Sequence, residues 1–486
     1  MTNLSSTIKT IQNIMRKDSG VDGDAQRIGQ LSWMLFLKIF SDSEKNWSFF
    51  EDGYESPIPE SLRWVNWAED DEGITGDELL DFINNRLFPA LKKLPTEGNS
   101  RASMVRSIFD DAINYMKSGH LLRQVINKIN EIDFNSSEDK HIFGDIYEQI
   151  LKGLQSAGNA GEFYTPRAVT QFMTEMTNPH LGQSVLDPAC GTGGFLACAI
   201  NHMRKQVKTP KDEEKLQKSI IGWEKKQLPH ILCTTNMILH GIDVPNIKHL
   251  IAGSLAKPLN NYGKSDKVDI ILTNPPFGGM EEDGIEKNFP ADVRTKETAD
   301  LFLVLIIKLL KDGGNSAVVL PDGALFGEGV KTRIKEKLLK ECNLHTVVRL
   351  PKTVFAPYTS INTNLLFFTK GCSTKETWFY RLDMPEGVKA FNKTNPMKIE
   401  HFAPVMEWWN NRKELQVDGF DKSKKYSFAE LQTRSFNLDL CGYPTIEEEI
   451  LEPKELISKY QAKRSELNQK IDSILIEVEK LLRIAQ

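Results

Sequence analysis

Along the first 150 residues, apolar positions recur at the three-to-four-residue spacing of helices. Ile8, Ile11, Ile14 and Met15 form one such stripe, and Gln30–Asp42 a second helical run. The pattern returns at Gly76–Phe88, Met104–Met116 and Leu121–Ile129. The Gly76–Phe88 helix is predicted to stop before Pro89, because proline lacks an N–H and its ring clashes with the preceding turn. Glu69, Asp70, Asp71 and Glu72 mark a solvated loop. Residues 1–150 read as a helical packing domain with no chemical constellation of its own.

From about residue 160 the period changes, and short β-rich runs alternate with helical stretches. The runs are Ser184–Asp187, Ser219–Glu224, His249–Ala252, Val268–Thr273, Ala317–Leu320, Thr346–Leu350 and Leu365–Thr369. This alternation predicts an α/β domain with a mostly parallel sheet and helices on both faces. Ligands of such sheets sit beyond the carboxyl ends of the strands, where the strand order reverses. The sheet is expected to end near Lys370, leaving an irregular or helical remainder. In the tail, Leu467, Ile471, Ile474, Val478 and Leu481 form a heptad stripe roughly two repeats long. Such a helix packs either on its own body or on a partner.

Composition narrows the class. With 486 residues, 40% hydrophobic and 26% charged, the chain is long enough for several globular domains. The richest apolar runs, Trp33–Leu37 and Leu301–Ile307, fall far short of the roughly 20 residues that span a bilayer. The start, MTNLSSTIKT, lacks the apolar stretch of a signal peptide. A cytoplasmic chain with no membrane contact is expected. None of the six cysteines forms a C-x-x-C pair, so neither a metal site nor a disulfide framework is expected. The formal charge is -5, whereas a protein that grips nucleic acid alone carries a basic surplus. A DNA-binding role would need a local basic face or a partner. Lys331–Lys335 and Lys422–Lys425 are the basic stretches, each either a solvated face or a contact.

Candidate chemistry lies just after the β-rich runs. The first ends in DPACGTGGF, Asp187–Phe195. Its glycines allow a tight turn and close approach of a ligand. No Gly-Lys-Ser/Thr follows, so this is not a phosphate loop, and Leu196 breaks a dinucleotide fingerprint. Asp187 suits a cationic or hydroxyl-bearing ligand. S-adenosylmethionine fits, with an ammonium, a sulfonium, a ribose and no phosphate. The second run ends in Glu224, placed to accept hydrogen bonds from ribose hydroxyls. The fourth leads into Asn274-Pro275-Pro276-Phe277. An exocyclic amine is a poor nucleophile because its lone pair is delocalised into the ring. The Asn274 amide oxygen and the Pro275 carbonyl can accept its two hydrogens and free that pair. Pro275 and Pro276 pre-position both acceptors, and Phe277 offers a face for a flipped base.

These strings resemble those of amino-group DNA methyltransferases, and Asn at the first position favours the adenine-N6 branch. A further string, Gly161–Arg167, resembles the motif that caps the methionine end of the cofactor; its position before the glycine loop matches the gamma order. Most specifically, the chain resembles the modification (methyltransferase) subunit of type I restriction–modification systems. It carries in order that group's EFYTPR, DPxxGTGGF and NPPFG strings, an ADLFL helix start (Ala299–Leu303), Gly313–Gly327 and Arg349–Phe368. The resemblance implies a helical domain at 1–150, an S-adenosylmethionine-dependent catalytic domain at 151–440 and a helical tail at 441–486 for subunit contact. It implies a cofactor site of Glu162, Phe163, Tyr164, Thr165, Pro166, Arg167, Asp187, Ala189, Cys190, Gly191, Gly193, Glu224 and Asp300. It also implies double-stranded DNA as substrate, a specificity subunit (two methyltransferase chains to one) and a restriction nuclease subunit as partners. One departure is Ile251–Leu255, where related enzymes often carry Asp or Asn before Ser-Leu or Thr-Leu; a contact to the cofactor's adenine is lost or moved to Ser254. Two rivals stand beside this reading. One is a protein-glutamine methyltransferase, which also presents Asn-Pro-Pro-aromatic; the other is a non-catalytic scaffold on the same fold.

Overall fold

The computed structural model describes residues 4–134, 165–356, 359, 361–392, 395–443 and 453–484. They form two units, Met1–Gly442 and Tyr443–Gln486.

The helices begin where the apolar stripes begin. Leu4–Met15 buries Ile8, Ile11, Ile14 and Met15. Asp24–Phe50 is longer than the expected run and buries Trp33, Phe36 and Phe40. Two expectations fail here for identifiable reasons. The third helix does not stop before Pro89. Gly76–Asp81 passes through a π turn, Phe82–Leu87, into Phe88–Leu91. The Phe88 N–H donates to the Ile83 carbonyl, five residues back. The wider turn ahead of the proline relieves the ring clash that would break an ordinary helix. The fourth helix, Ser100–Phe109, ends well before Met116. Two buried side chains capture the backbone beyond it. Gln30 accepts from the Tyr115 N–H at 2.7 Å, and Asp18 from Lys117 and Ser118 at 3.0 and 2.9 Å. Ser118 then caps Gly119–Asn130.

The ten strands are β1 Val185–Asp187, β2 Ile220–Glu224, β3 Asn246–His249, β4 Val268–Thr273, β5 Leu310–Pro321, β6 Cys342–Arg349, β7 Thr363–Lys370, β8 Glu376–Arg381, β9 Leu415–Val417 and β10 Phe420–Ser427. They join in one sheet, ordered β3-β2-β1-β4-β5-β7-β6-β8-β10-β9. From β3 to β5 every pairing is parallel. β7 runs antiparallel to β5 and β6, β8 is parallel to β6, and β10 is antiparallel to β8 and β9. The chain lays down β1, β2 and β3 in one direction, then returns to place β4 on the other side of β1. The reversal point is therefore the β1/β4 seam.

Two strand expectations are corrected. The third strand is Asn246–His249 rather than His249–Ala252; residues 246–249 pair with β2, and the backbone then turns. The sheet does not end near Lys370 either, since β8, β9 and β10 extend it. The Lys422–Lys425 run is a strand because its charges find partners. Lys422 pairs with Asp383, Lys424 with Asp421 and Lys425 with Glu376. Lys331–Lys335 is also engaged. Lys335 is buried and donates to the carbonyls of Leu325 and Gly327 at 2.7 and 2.9 Å, and burial pulls its pKa down to about 8.

Three apolar cores hold this unit. Two flank the sheet, one of them built largely on the helix Thr298–Leu309 and the other including the helices Arg167–Thr177 and Gly194–Arg204. The third fills the helical region and takes in Ile231, Leu232 and Ile238 from the helix Gln227–Leu239. That helix also carries Asn236, whose amide donates to the Thr192 carbonyl at 3.0 Å. The helical region thus buttresses the element that steadies the glycine loop. The second unit contains the helix Pro453–Ile484, on which Leu467, Ile471, Ile474 and Val478 are exposed. Among the described residues no helix is long and apolar enough to cross a membrane.

Candidate active site

A cavity of about 360 Å³ opens at the carboxyl ends of β1, β2 and β4. This is the size of a small-molecule site, and it lies at the reversal of strand order.

The β1 loop forms its floor. Asp187 is buried; its Oδ1 accepts from the Thr273 hydroxyl at 2.7 Å and the Ala189 N–H at 3.1 Å. Burial pushes its carboxyl up to about 7, partly offset by these two bonds. Cys190 is tied to β2 through its N–H to the Trp223 carbonyl, 3.0 Å. Burial raises its thiol, so Cys190 packs as a protonated side chain. Gly193 has φ 82°, and a Cβ there would stand 2.8 Å from Cys233 Sγ. Glu224 closes the loop from the neighbouring strand: Oε2 accepts from the Gly191 N–H at 2.9 Å and Oε1 from the Lys226 N–H at 2.7 Å. Its pKa is raised by burial, against the pull of those backbone N–H groups.

The β4 loop forms one wall. Asn274 donates through Nδ2 to the Thr165 hydroxyl at 2.9 Å. Its Oδ1 is buried and has no partner among the described residues. Pro276 lines the cavity, whereas Pro275 is buried beneath it. Phe277 is half-buried and meets Phe355 edge-to-face, with centroids 5.8 Å apart.

Of the residues expected at a cofactor site, the cavity gathers Thr165, Asp187, Ala189, Cys190, Gly191 and Glu224, together with Asn274 and Pro276. It does not gather Pro166, Arg167, Gly193 or Asp300. Arg167 begins a helix and donates to the Gly194 carbonyl at 3.2 Å. Asp300 is paired with Lys331 at 2.9 Å, and Thr298 and Phe302 of the same helix reach the cavity instead. Glu162, Phe163 and Tyr164 lie outside the described residues. Ser254 does line the cavity; its hydroxyl donates to the Pro188 carbonyl at 2.5 Å. The sequence reading missed Lys225, Lys226, Met280, Glu281 and Glu282. The lysines directly follow Glu224, so extending the strand-end rule by two residues would have found them. The glutamates reach the cavity only because the chain folds back between Met280 and Glu297, a pairing no local pattern announces.

Residues 138–450 match the family model for N-6 DNA methylases, and residues 4–129 match the HsdM N-terminal domain. The chain belongs to the N-6 DNA methylase family, a class of adenine-specific DNA methyltransferases. Within it, the chain belongs with the methylase subunits of type I restriction enzymes. It is 57% identical over 476 residues to the EcoEI methylase subunit of Escherichia coli, covering 96% of each chain. Among solved structures, it resembles a modification subunit assigned to a type I restriction enzyme of Vibrio vulnificus YJ016. That match has TM-score 0.79 and 45% identity, over 88% of this chain and 92% of the other. A chain from a study of complex assembly and conformational transition in a type I restriction–modification system matches with TM-score 0.80 and 35% identity, over 100% and 99%.

Proposed function

We propose that the cavity holds S-adenosylmethionine and that Asn274 presents the exocyclic amine of a flipped adenine to it. The observation that carries this reading is the buried Oδ1 of Asn274, unpartnered while its Nδ2 is fixed by Thr165. A buried acceptor left open costs free energy unless a ligand fills it.

The donor set fits the cofactor. Its net positive charge faces Asp187, Glu224 and Glu281 against Lys226, while Lys225 and Glu282 pair with each other. The strand order supports one orientation: a ribose at Glu224 after β2, and the reacting end at Asn274 after β4. When bound, the cofactor supplies an electrophilic methyl group on a sulfonium. Asn274 Oδ1 accepts one amine hydrogen, and the Pro275 carbonyl accepts the other. Pro276 restricts the backbone at this point, so neither acceptor has to reorganise during attack. Phe277, held edge-on by Phe355, supplies the stacking face.

On this reading the substrate is double-stranded DNA, which must release the adenine from its stack before the amine reaches Asn274. The chain works in the cytoplasm with a specificity subunit, two methyltransferase chains to one, and with a nuclease subunit in the full assembly. The functional division follows 1–150, 151–440 and 441–486. Asn274→Ala is expected to lower methyl transfer about 10²–10³-fold and to leave cofactor binding nearly intact. Transfer of labelled methyl groups by the reconstituted complex, beside equilibrium dialysis of the cofactor, measures both. Undiminished transfer would remove Asn274 from the chemistry.

A further inference from the structure

β2 and β4 are not neighbours in the sheet, since β1 lies between them. Lys225 follows β2 and Glu282 follows β4, yet Lys225 Nζ stands 3.6 Å from Glu282 Oε1. Both residues line the cavity. An ion pair joining these two loops must pass over the β1 loop, and so over the space that Asp187–Gly191 floor.

Resting on the cofactor reading, we propose that Lys225 and Glu282 form a latch across the mouth of the cavity that times the entry and exit of S-adenosylmethionine. Each arm is shaped for this. The Lys225 stem lies over Gly253, where a Cβ would stand 3.2 Å from Lys225 Cδ. Glu282 sits on a short strap between Gly278 (φ 64°) and Gly284 (φ 103°), two positions in the left-handed region that suits glycine. The base of the strap is fixed. The Glu281 N–H donates to the Lys296 carbonyl at 2.8 Å, and Thr298 donates its N–H to Gly279 at 3.1 Å and its hydroxyl to Glu281 at 2.9 Å. Glu281 is thereby held down, while Glu282 reaches back to Lys225. The pair is solvent-exposed, with side chains 46% and 84% accessible. Such pairs are weak and screened by salt, which suits a contact that opens on every exchange.

The test uses the full-length chain and tritiated S-adenosylmethionine, with association followed by rapid filtration and release by an unlabelled chase. Glu282→Gln and Lys225→Met, which keeps the stem, are each expected to raise both rates by about two- to fivefold with Kd nearly constant. Added salt should speed exchange in the unaltered chain and have little effect in either variant. The exchanged pair, Lys225→Glu with Glu282→Lys, should return both rates towards the unaltered values. Unchanged rates in the single variants would overturn the latch. So would a weaker Kd carried by release alone, which would mark a direct ligand contact. An unaltered chain that binds no label would overturn the cofactor reading itself.

Discussion

Asp187 lies where the β1 and β4 ends meet, buried and bonded to Thr273 and Ala189. Its pKa is about 7, pushed up by burial. An acid whose folded pKa is raised holds its proton over a range in which the unfolded chain has already lost it. Ionised Asp187 therefore costs stability increasingly as pH rises from about 4 to about 7. A cationic ligand reverses that preference by favouring the carboxylate, so binding should expel a proton near neutrality. We expect cofactor affinity to rise from about pH 6 to about pH 8, and Asp187→Asn to flatten the dependence. Calorimetry in two buffers of different ionisation enthalpy counts the released proton; none at neutral pH would count against this role. Asp187, Glu224 and Asn274 were legible in the sequence because each ends or directly follows a β-rich run. The open Oδ1 of Asn274 was not, since it depends on Thr165, a partner more than a hundred residues away.

At the scale of the element, the glycine loop and the helix Gly194–Arg204 behind it are set by a close approach to the helix Gln227–Leu239. Gly193→Ala would place a methyl group 2.8 Å from Cys233 Sγ and 3.0 Å from Met237 Cε, at φ 82°. The backbone conformation alone should cost about 1–3 kcal/mol, and the contact adds to it. Adding Cys233→Ala is expected to recover the sulfur's share of the contact, and neither the Met237 share nor the backbone part. Denaturant midpoints of the two variants separate the contributions; a Gly193→Ala chain as stable as the unaltered one would show that the loop gives way. The parallel strands β1, β2 and β4 were readable as continuous apolar runs because they are buried on both faces. β10 was not, because Lys422, Lys424 and Lys425 read as a solvated face until their acidic partners are known. Pro89 misled for the opposite reason: a local rule was sound, and a π turn ending two residues earlier met it.

At the scale of the molecule, Gly442 is the boundary that matters. A cut near Lys370 would remove three strands, buried Phe379 and Tyr380 among them, and leave β6 without its β8 neighbour. A chain ending at Gly442 keeps the whole sheet, and we expect it to retain the cofactor affinity and melting temperature of the full chain. It should fail to co-elute with a specificity subunit on a sizing column, because the helix Pro453–Ile484 offers the apolar stripe we assign to that contact. Full co-elution would remove the helix from the interface. The engaged lysines of β10 and of the Lys331–Lys335 stretch bear on the same division of labour. DNA is wrapped in condensed counterions, and a protein gains affinity by displacing them with cations that have no better neighbour. Lys331, Lys335, Lys422, Lys424 and Lys425 already have protein partners, in a chain of formal charge -5. These five lysines can liberate few ions, so they should add little to the dependence of DNA affinity on ionic strength.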